Sequence, residues 1–155
     1  MTVPEFSPAV LKQILARIEA QGRAAARSAL IDLSDAVVNQ AKTNASTGSH
    51  AYGTPTPARP GTGPARISGT LRNSITRTAV VRTAGGWEAK VGLAPGKTPP
   101  YGSGRTPSSK YGLYLETGLK NGTTYPFLKP ATQMARIQAD IVFGRAFAEA
   151  KWRMG

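Results

Sequence analysis

Apolar positions recur with a helical period at both ends of the chain and with a period of two in its middle. Val10, Ile14 and Ile18 stand four residues apart, flanked by Leu11 and Leu15. Beyond Gly22 the stripe continues through Ala25, Ala29, Leu33, Val37 and Ala41, with Leu30 alongside. This spacing predicts a helix over residues 8–43. Pro8 suits its first turn, where a missing N–H removes no hydrogen bond, and Ser7 is placed to cap it. The stripe is expected to be ordinary core. A glycine inside a helix costs about 1 kcal/mol relative to alanine, so Gly22 predicts a kink or a close helix contact. At the other end Pro130 begins a last helix, in which Met134, Ile137, Ile141, Phe143, Phe147 and Ala148 keep the same period.

The middle of the chain is patterned differently. Ser68 is placed to cap a short helix reaching about Ser74, with Leu71 and Ile75 on one side. Ile75, Arg77, Ala79 and Val81 then alternate with polar or small residues, as do Trp87, Ala89, Val91 and Leu93, and Ala84-Gly85-Gly86 lies between the runs. Two alternating runs around a glycine turn predict an antiparallel hairpin with Trp87 in its core. Tyr111 to Thr117 is ambiguous: Tyr111, Tyr114, Leu115 and Gly118 fit helical spacing, but strand is possible. The regions 44–66 and 94–110 read as extended loops rich in Pro, Gly, Ser and Thr, and four prolines between 44 and 64 preclude a regular element there. The first loop is either a flexible spacer or an arm that orders only against a neighbouring subunit. No internal repeat is present. The expectation is one domain over residues 1–155, of α+β class: a long N-terminal helix, a small antiparallel sheet with a hairpin, a C-terminal helix and long Pro/Gly-rich loops.

Composition changes this picture in three ways. The chain has no cysteine, which excludes disulfides, thiolate metal sites and a thiol nucleophile, and agrees with a reducing cytosol. No signal-like start and no apolar run near the ~20 residues of a membrane helix is present, so a soluble, unexported protein without a membrane partner is expected. Net charge is +12, and between Lys42 and Lys110 ten Lys or Arg residues face only Glu88. A field of that sign favours a polyanion or an acidic surface nearby.

Candidate chemistry is sparse. Gly92-Leu-Ala-Pro-Gly-Lys-Thr98 imitates a phosphate loop but is one residue short, and Pro99-Pro100 follow where the motif needs a helix N-terminus. Lys97 is therefore read as an ordinary loop cation. His50, the only histidine, has neither co-ligand nor carboxylate near it in sequence and reads as a solvated loop residue. Glu116 is a lone carboxylate among Tyr111, Tyr114 and Leu115, without a second acid or nucleophile for general-base work. It reads as a hydrogen-bonded anchor or an ion-pair member, with Arg72 or Lys129 as partners. No enzyme, metal or cofactor is expected. Phe127 and Leu128, flanked by prolines, look like core; Tyr111, Tyr114 and Tyr125, each with a hydroxyl to satisfy, suit a boundary. Trp152 fits either setting.

Three segments in order, Ser68-Gly-Thr-Leu-Arg-Asn-Ser-Ile75, Tyr111-Gly-Leu-Tyr-Leu-Glu-Thr-Gly118 and Pro126-Phe-Leu-Lys-Pro-Ala131, resemble the head–tail joining (tail-completion, or neck) family of long-tailed double-stranded-DNA phages, also called gene-product-ten-like. The resemblance covers about residues 66–135, carried by Gly69, Leu71, Arg72, Ser74, Tyr111, Tyr114, Glu116, Gly118, Pro126, Phe127, Leu128, Pro130 and Ala131. It departs from the family at Gly112, where alanine is usual and a loosened helical turn is expected, and in the proline-rich segment before Ser68. The resemblance implies a virion protein assembled in the host cytoplasm, forming a homo-oligomeric ring, a hexamer, in the neck or as tail terminator. Its partners would be head-closure or connector proteins, tail-tube proteins and, without sequence preference, the passing double-stranded DNA. Tyr111, Tyr114, Glu116, Tyr125 and Phe127 would meet sibling or neighbour subunits, and Arg59, Arg66, Arg72, Lys97 and Arg105 would lie near DNA. The alternative is a free-standing basic nucleic-acid-binding module using Arg59, Arg66, Arg72, Arg77 and Arg82.

Overall fold

The computed structural model describes residues 7–101 and 106–153, with side chains to Lys151. Arg105 and the Trp152 side chain lie outside the described set. The elements in chain order are α1 (Pro8–Asn44), α2 (Thr70–Ser74), β1 (Ile75–Arg77), β2 (Val81–Thr83), β3 (Gly86–Glu88), β4 (Val91–Leu93), α3 (Ser108–Thr117) and α4 (Leu128–Arg153). The α+β architecture is the one the patterning predicts.

α1 is a 37-residue helix with Ser7 as its N-cap, the Oγ accepting from the Val10 amide at 3.3 Å, and Pro8 in the first turn. It runs unbroken through Gly22, where a Cβ would meet nothing within 4 Å, so no close helix contact explains that glycine. α4 lies antiparallel along it. Gln21 Nε2 donates to the Phe147 carbonyl at 2.9 Å near one end, and Asn44 Nδ2 donates to the Phe127 carbonyl at 3.0 Å at the other. α4 starts two residues earlier than Pro130 predicts, because Leu128 and Lys129 supply a first turn in which the proline's missing N–H costs nothing.

The core has two parts. One gathers Val37, Ala41, Ala45, Ile75, Phe127 and Ala131, with Leu71, Val91, Leu93 and Leu115 packed around it. The second is an alanine seam between the long helices, Ala25 and Ala29 against Ala146 and Ala150, with Val142 and Phe147 beside it. Small side chains allow close helix approach, so the seam packs by backbone proximity more than by side-chain volume. Many bulky apolar residues of the two long helices are left outside. Val10, Leu11, Ile14, Leu15 and Ile18 retain 39–53% of their surface, contrary to the core role predicted for them, and Met134, Ile137, Ile141 and Phe143 retain 42–80%. The helical period of α4 holds, but its buried face is Ala131, Ala146 and Ala150, and Met134, Ile137 and Ile141 point the other way.

The predicted hairpin forms in two pieces. β1 pairs antiparallel with β4 (Ile75 opposite Leu93), and β2 with β3 (Arg82 opposite Trp87). Between them the ladder is carried by the Thr78 amide on the Lys90 carbonyl and the Lys90 amide on the Thr78 hydroxyl. Trp87 is not hairpin core. Its ring lies half-buried against α1, Nε1 donating to the Arg23 carbonyl at 3.1 Å, with the Arg27 guanidinium 5.9 Å from the ring centre. Arg77 reaches α1 as well, its Nε and Nη2 on Asp35 at 2.5 and 3.3 Å, a contact that holds the Asp35 carboxyl below the usual carboxylate range.

The loop from residue 45 is neither a free spacer nor an arm waiting for a neighbour. Its backbone is tied down within the chain: the Thr47 amide donates to the Pro64 carbonyl, His50 to Arg66, Arg66 to Gly48 and Gly61 to Thr124. Gly63 is required, since a Cβ there would stand 1.8 Å from the Asn44 carbonyl oxygen that ends α1. In the second loop Ser108 already belongs to α3, its amide bonded to the Lys97 carbonyl. α2 begins one residue later than predicted. Gly69, at a φ of +83°, takes the N-cap position, and the Ser68 hydroxyl serves the Thr70 amide instead.

Candidate functional site

Tyr111 to Thr117 is helical, and α3 places its residues in three different environments. Gly112 faces the core, where a Cβ would stand 2.3 Å from Leu93 Cδ1, 3.1 Å from Leu71 Cδ1 and 3.5 Å from Phe127 Cζ. The missing side chain thus makes room for Leu93 and Leu71, and the turn it belongs to is filled by its neighbours, not loosened. Leu115 packs on the same cluster. Tyr114 points outward, 44% exposed.

Glu116, one turn on from Gly112, closes the contact to α4. Its Oε1 accepts from the Phe127 amide at 2.7 Å and from the Leu128 amide, and Oε2 lies 3.4 Å from the Lys129 amide. These are the unpaired donors at the start of α4, so the carboxylate acts as a helix cap delivered from eleven residues upstream, and the helix dipole favours its charge. The anchor reading of Glu116 holds; its partners are backbone amides and neither the Arg72 nor the Lys129 side chain. The Tyr125 amide donates to the Leu115 carbonyl at 2.7 Å, which fixes the Tyr125-Pro126 turn against α3. Phe127 is 0% exposed and belongs to the core, so it has no surface to offer a neighbouring subunit.

On the other side of α3 lies a cavity of about 310 Å³. Leu71, Leu115, Leu119 and Ile67 are among the apolar residues of its wall, and Tyr111, Tyr125 and Tyr101 bring phenol rings to it. Arg66 and Arg72, both exposed, stand at its rim, and no carboxylate lines it. Burial pushes the Tyr111 phenol up to about 12, with Tyr101 adding to the rise and the Leu71 amide opposing it, so the hydroxyl stays neutral at any physiological pH. The cavity therefore combines a mostly apolar interior, free of carboxylates, with a positive rim, a setting for an apolar or aromatic side chain carried next to a negative charge.

The structure brings Arg66, Arg72, Tyr111 and Tyr125 together at this cavity and separates the other candidates. Arg59 sits exposed on the first loop, where its carbonyl receives the Thr62 amide; Lys97 sits exposed on the second. Arg105 is outside the described residues. His50 is half-buried in the cavity wall and not a solvated loop residue. Its Nδ1 lies 3.2 Å from the Thr54 hydroxyl, which itself donates to the Ala51 carbonyl at 2.6 Å, so that hydroxyl is not aimed as a nucleophile. Tyr101, stacked on Tyr52 with ring centres 4.3 Å apart, was not anticipated; a tyrosine after Pro-Pro in a basic loop gives no periodic signal. Among the described residues no cluster of acidic or histidine side chains could hold a metal ion, and no helix is long and apolar enough to cross a membrane. Comparison of the chain with family models, with curated proteins and with solved structures finds no match.

Proposed function

We propose that this chain is a structural subunit of the neck of a long-tailed double-stranded-DNA phage, assembling into a ring that joins the DNA-filled head to the tail and surrounds the DNA channel. The observation that carries this reading is the meeting in space of the three segments on which the sequence resemblance rests. Leu71 of the first, Leu115 and Glu116 of the second, and Phe127, Leu128 and Ala131 of the third share one core cluster and one helix cap. Residues spread over sixty positions of sequence thus act as one structural unit.

Two further features support a subunit made to be covered. Nine large apolar side chains on α1 and α4 face outward, far more than a solitary domain of this size needs to expose. The positive field lies in the middle of the chain, where loops could line a channel that must attract phosphates without gripping them. The test is removal of this chain from an assembling virus. DNA-filled heads and complete but separate tails are expected. Intact, infectious particles from the deletion, or empty heads from failed packaging, sink the reading.

A further inference from the structure

The cavity beside α3 is walled by backbone that is already fixed. Arg66 lies on an extended segment, its amide donating to the Gly48 carbonyl at 2.9 Å and its carbonyl accepting from the His50 amide at 3.0 Å. The Leu119 amide is held on the Thr123 carbonyl and the Tyr125 amide on the Leu115 carbonyl. At about 310 Å³ the hollow has room for one aromatic ring. Its apolar surface continues outward: Ile67 and Leu119 keep 38% and 37% of their area exposed, and Tyr52, stacked on the wall residue Tyr101, keeps 59%.

The charge around this opening has one sign. Arg66 and Arg72 are exposed, no carboxylate lines the cavity, and neither arginine forms an ion pair among the described residues. Glu116, next in sequence to the wall residue Leu115, is committed to the amides that open α4. Several polar side chains of the wall are occupied as well. The Ser68 and Thr70 hydroxyls bond each other at 2.8 Å, and His50 Nδ1 lies 3.2 Å from the Thr54 hydroxyl. A nucleobase would bring ring nitrogens and carbonyls into this interior with few free partners, a desolvation cost that a hydrocarbon ring does not carry.

We propose that the cavity takes an aromatic side chain from an acidic peptide segment of a partner protein, with carboxylates beside that side chain meeting Arg66 and Arg72. The two guanidinium forks stand on separate elements, one on the first loop and one on α2, and each matches a carboxylate in geometry. Because both are exposed, the charges they hold stay at the water boundary while the ring alone enters the apolar interior. That division, a buried aromatic anchor with charge pairs at its rim, is the usual anatomy of a small protein–peptide contact. A free aromatic acid would fit the hollow but brings one carboxylate for two arginines and leaves Ile67, Leu119 and Tyr52 uncovered. A chain passing over the opening brings acids on both sides of the ring and covers those residues. The site rests on the cavity and its rim alone, and stands whether or not the chain is a neck subunit.

The test is a nuclear magnetic resonance titration of the full-length, isotope-labelled protein with a short blocked peptide carrying a central phenylalanine between aspartates. Saturable amide shifts are expected at Leu71, Leu115, Leu119 and Tyr125, with a dissociation constant on the order of 10⁻⁴ M. Serine in place of the phenylalanine, or asparagines in place of the aspartates, should each weaken binding at least tenfold. The double variant Arg66→Ala/Arg72→Ala should do the same and remove most of the salt dependence, and since both side chains are exposed the fold is kept. Leu119→Trp, which fills the cavity from its edge, should abolish binding while amide positions far from it stay unchanged. No saturable shift at about 5 mM peptide, shifts confined to other surfaces, or equal binding by both variants overturns the proposal. N-acetylphenylalanine binding more tightly than the peptide would assign the cavity to a small acid, and oligothymidylate doing so with the same shifts would assign it to nucleic acid. Either result overturns the peptide as occupant.

Discussion

Glu116 does at the level of one residue what a serine or aspartate cap does locally, but across the gap between two helices. Its carboxylate accepts the Phe127 and Leu128 amides, and those amides have no alternative partner once α4 begins at Leu128. Glu116→Ala leaves them unpaired in a half-buried setting and should cost about 2 kcal/mol, above the ~1 kcal/mol of an ordinary cap because the acceptor is charged. Glu116→Gln keeps a neutral acceptor of the same length and should lose less than half of that. Urea denaturation of the two variants checks this; a midpoint unchanged in Glu116→Ala would show that the cap is not stabilising. A lone carboxylate among tyrosines has no catalytic company, and that marked Glu116 as an anchor. The same pattern could not disclose the partner, since backbone amides are invisible in a string of side chains. Phe127 between its prolines reads as core, the family resemblance sets it against a neighbouring subunit, and its complete burial decides for the core.

At the scale of elements, period was legible and facing was not. The two long helices, the hairpin and the first loop fall where apolar spacing and glycine turns predict them, whereas α3, open between helix and strand in the sequence, begins at Ser108 inside the predicted second loop. The buried face of α4 was missed because alanines carry a weak hydrophobic signal, and the bulky residues that carry a strong one are turned outward. α1 was misjudged in its first turns because its stripe keeps one phase past the end of its partner helix. Gly112 shows how an element's packing overrides its propensity. Alanine there gains about 1 kcal/mol of helix propensity, but its Cβ would overlap Leu93 Cδ1 and crowd Leu71 Cδ1. Overpacking costs typically 1–3 kcal/mol, so Gly112→Ala should destabilise by about 1 kcal/mol net. Leu93→Val removes the overlapping atom, and the double variant Gly112→Ala/Leu93→Val should be more stable than the sum of the two single changes by about 1 kcal/mol. A double-mutant cycle in urea measures that coupling, and strict additivity would mean that Leu93 moves aside at no cost.

For the whole molecule, the question is what the charge of +12 does. Part of it is locally spent: Arg77 is held by Asp35, Arg27 lies over Trp87, and the Lys90–Glu88 pair, 3.4 Å apart at the surface, adds little. Arg66 and Arg72 converge on the cavity rim, and Arg59 and Lys97 stand on separate loops, so these four described cations do not form one track of the kind that grips a duplex. Dispersed cations release few counterions each time a subunit meets DNA. The isolated protein should therefore bind duplex DNA without sequence preference, with a dissociation constant in the non-specific range of about 10⁻⁴–10⁻⁶ M at physiological salt. Replacing Arg66 and Arg72 together by alanine should flatten the log–log salt dependence by at most about two units, in proportion to the phosphates they neutralise. Fluorescence anisotropy across a salt series reads both quantities. Nanomolar binding by the lone subunit, lost on changing those two arginines, would favour the free-standing nucleic-acid-binding module. A ring that DNA must slide through works the other way, since tight grip at every subunit would oppose passage.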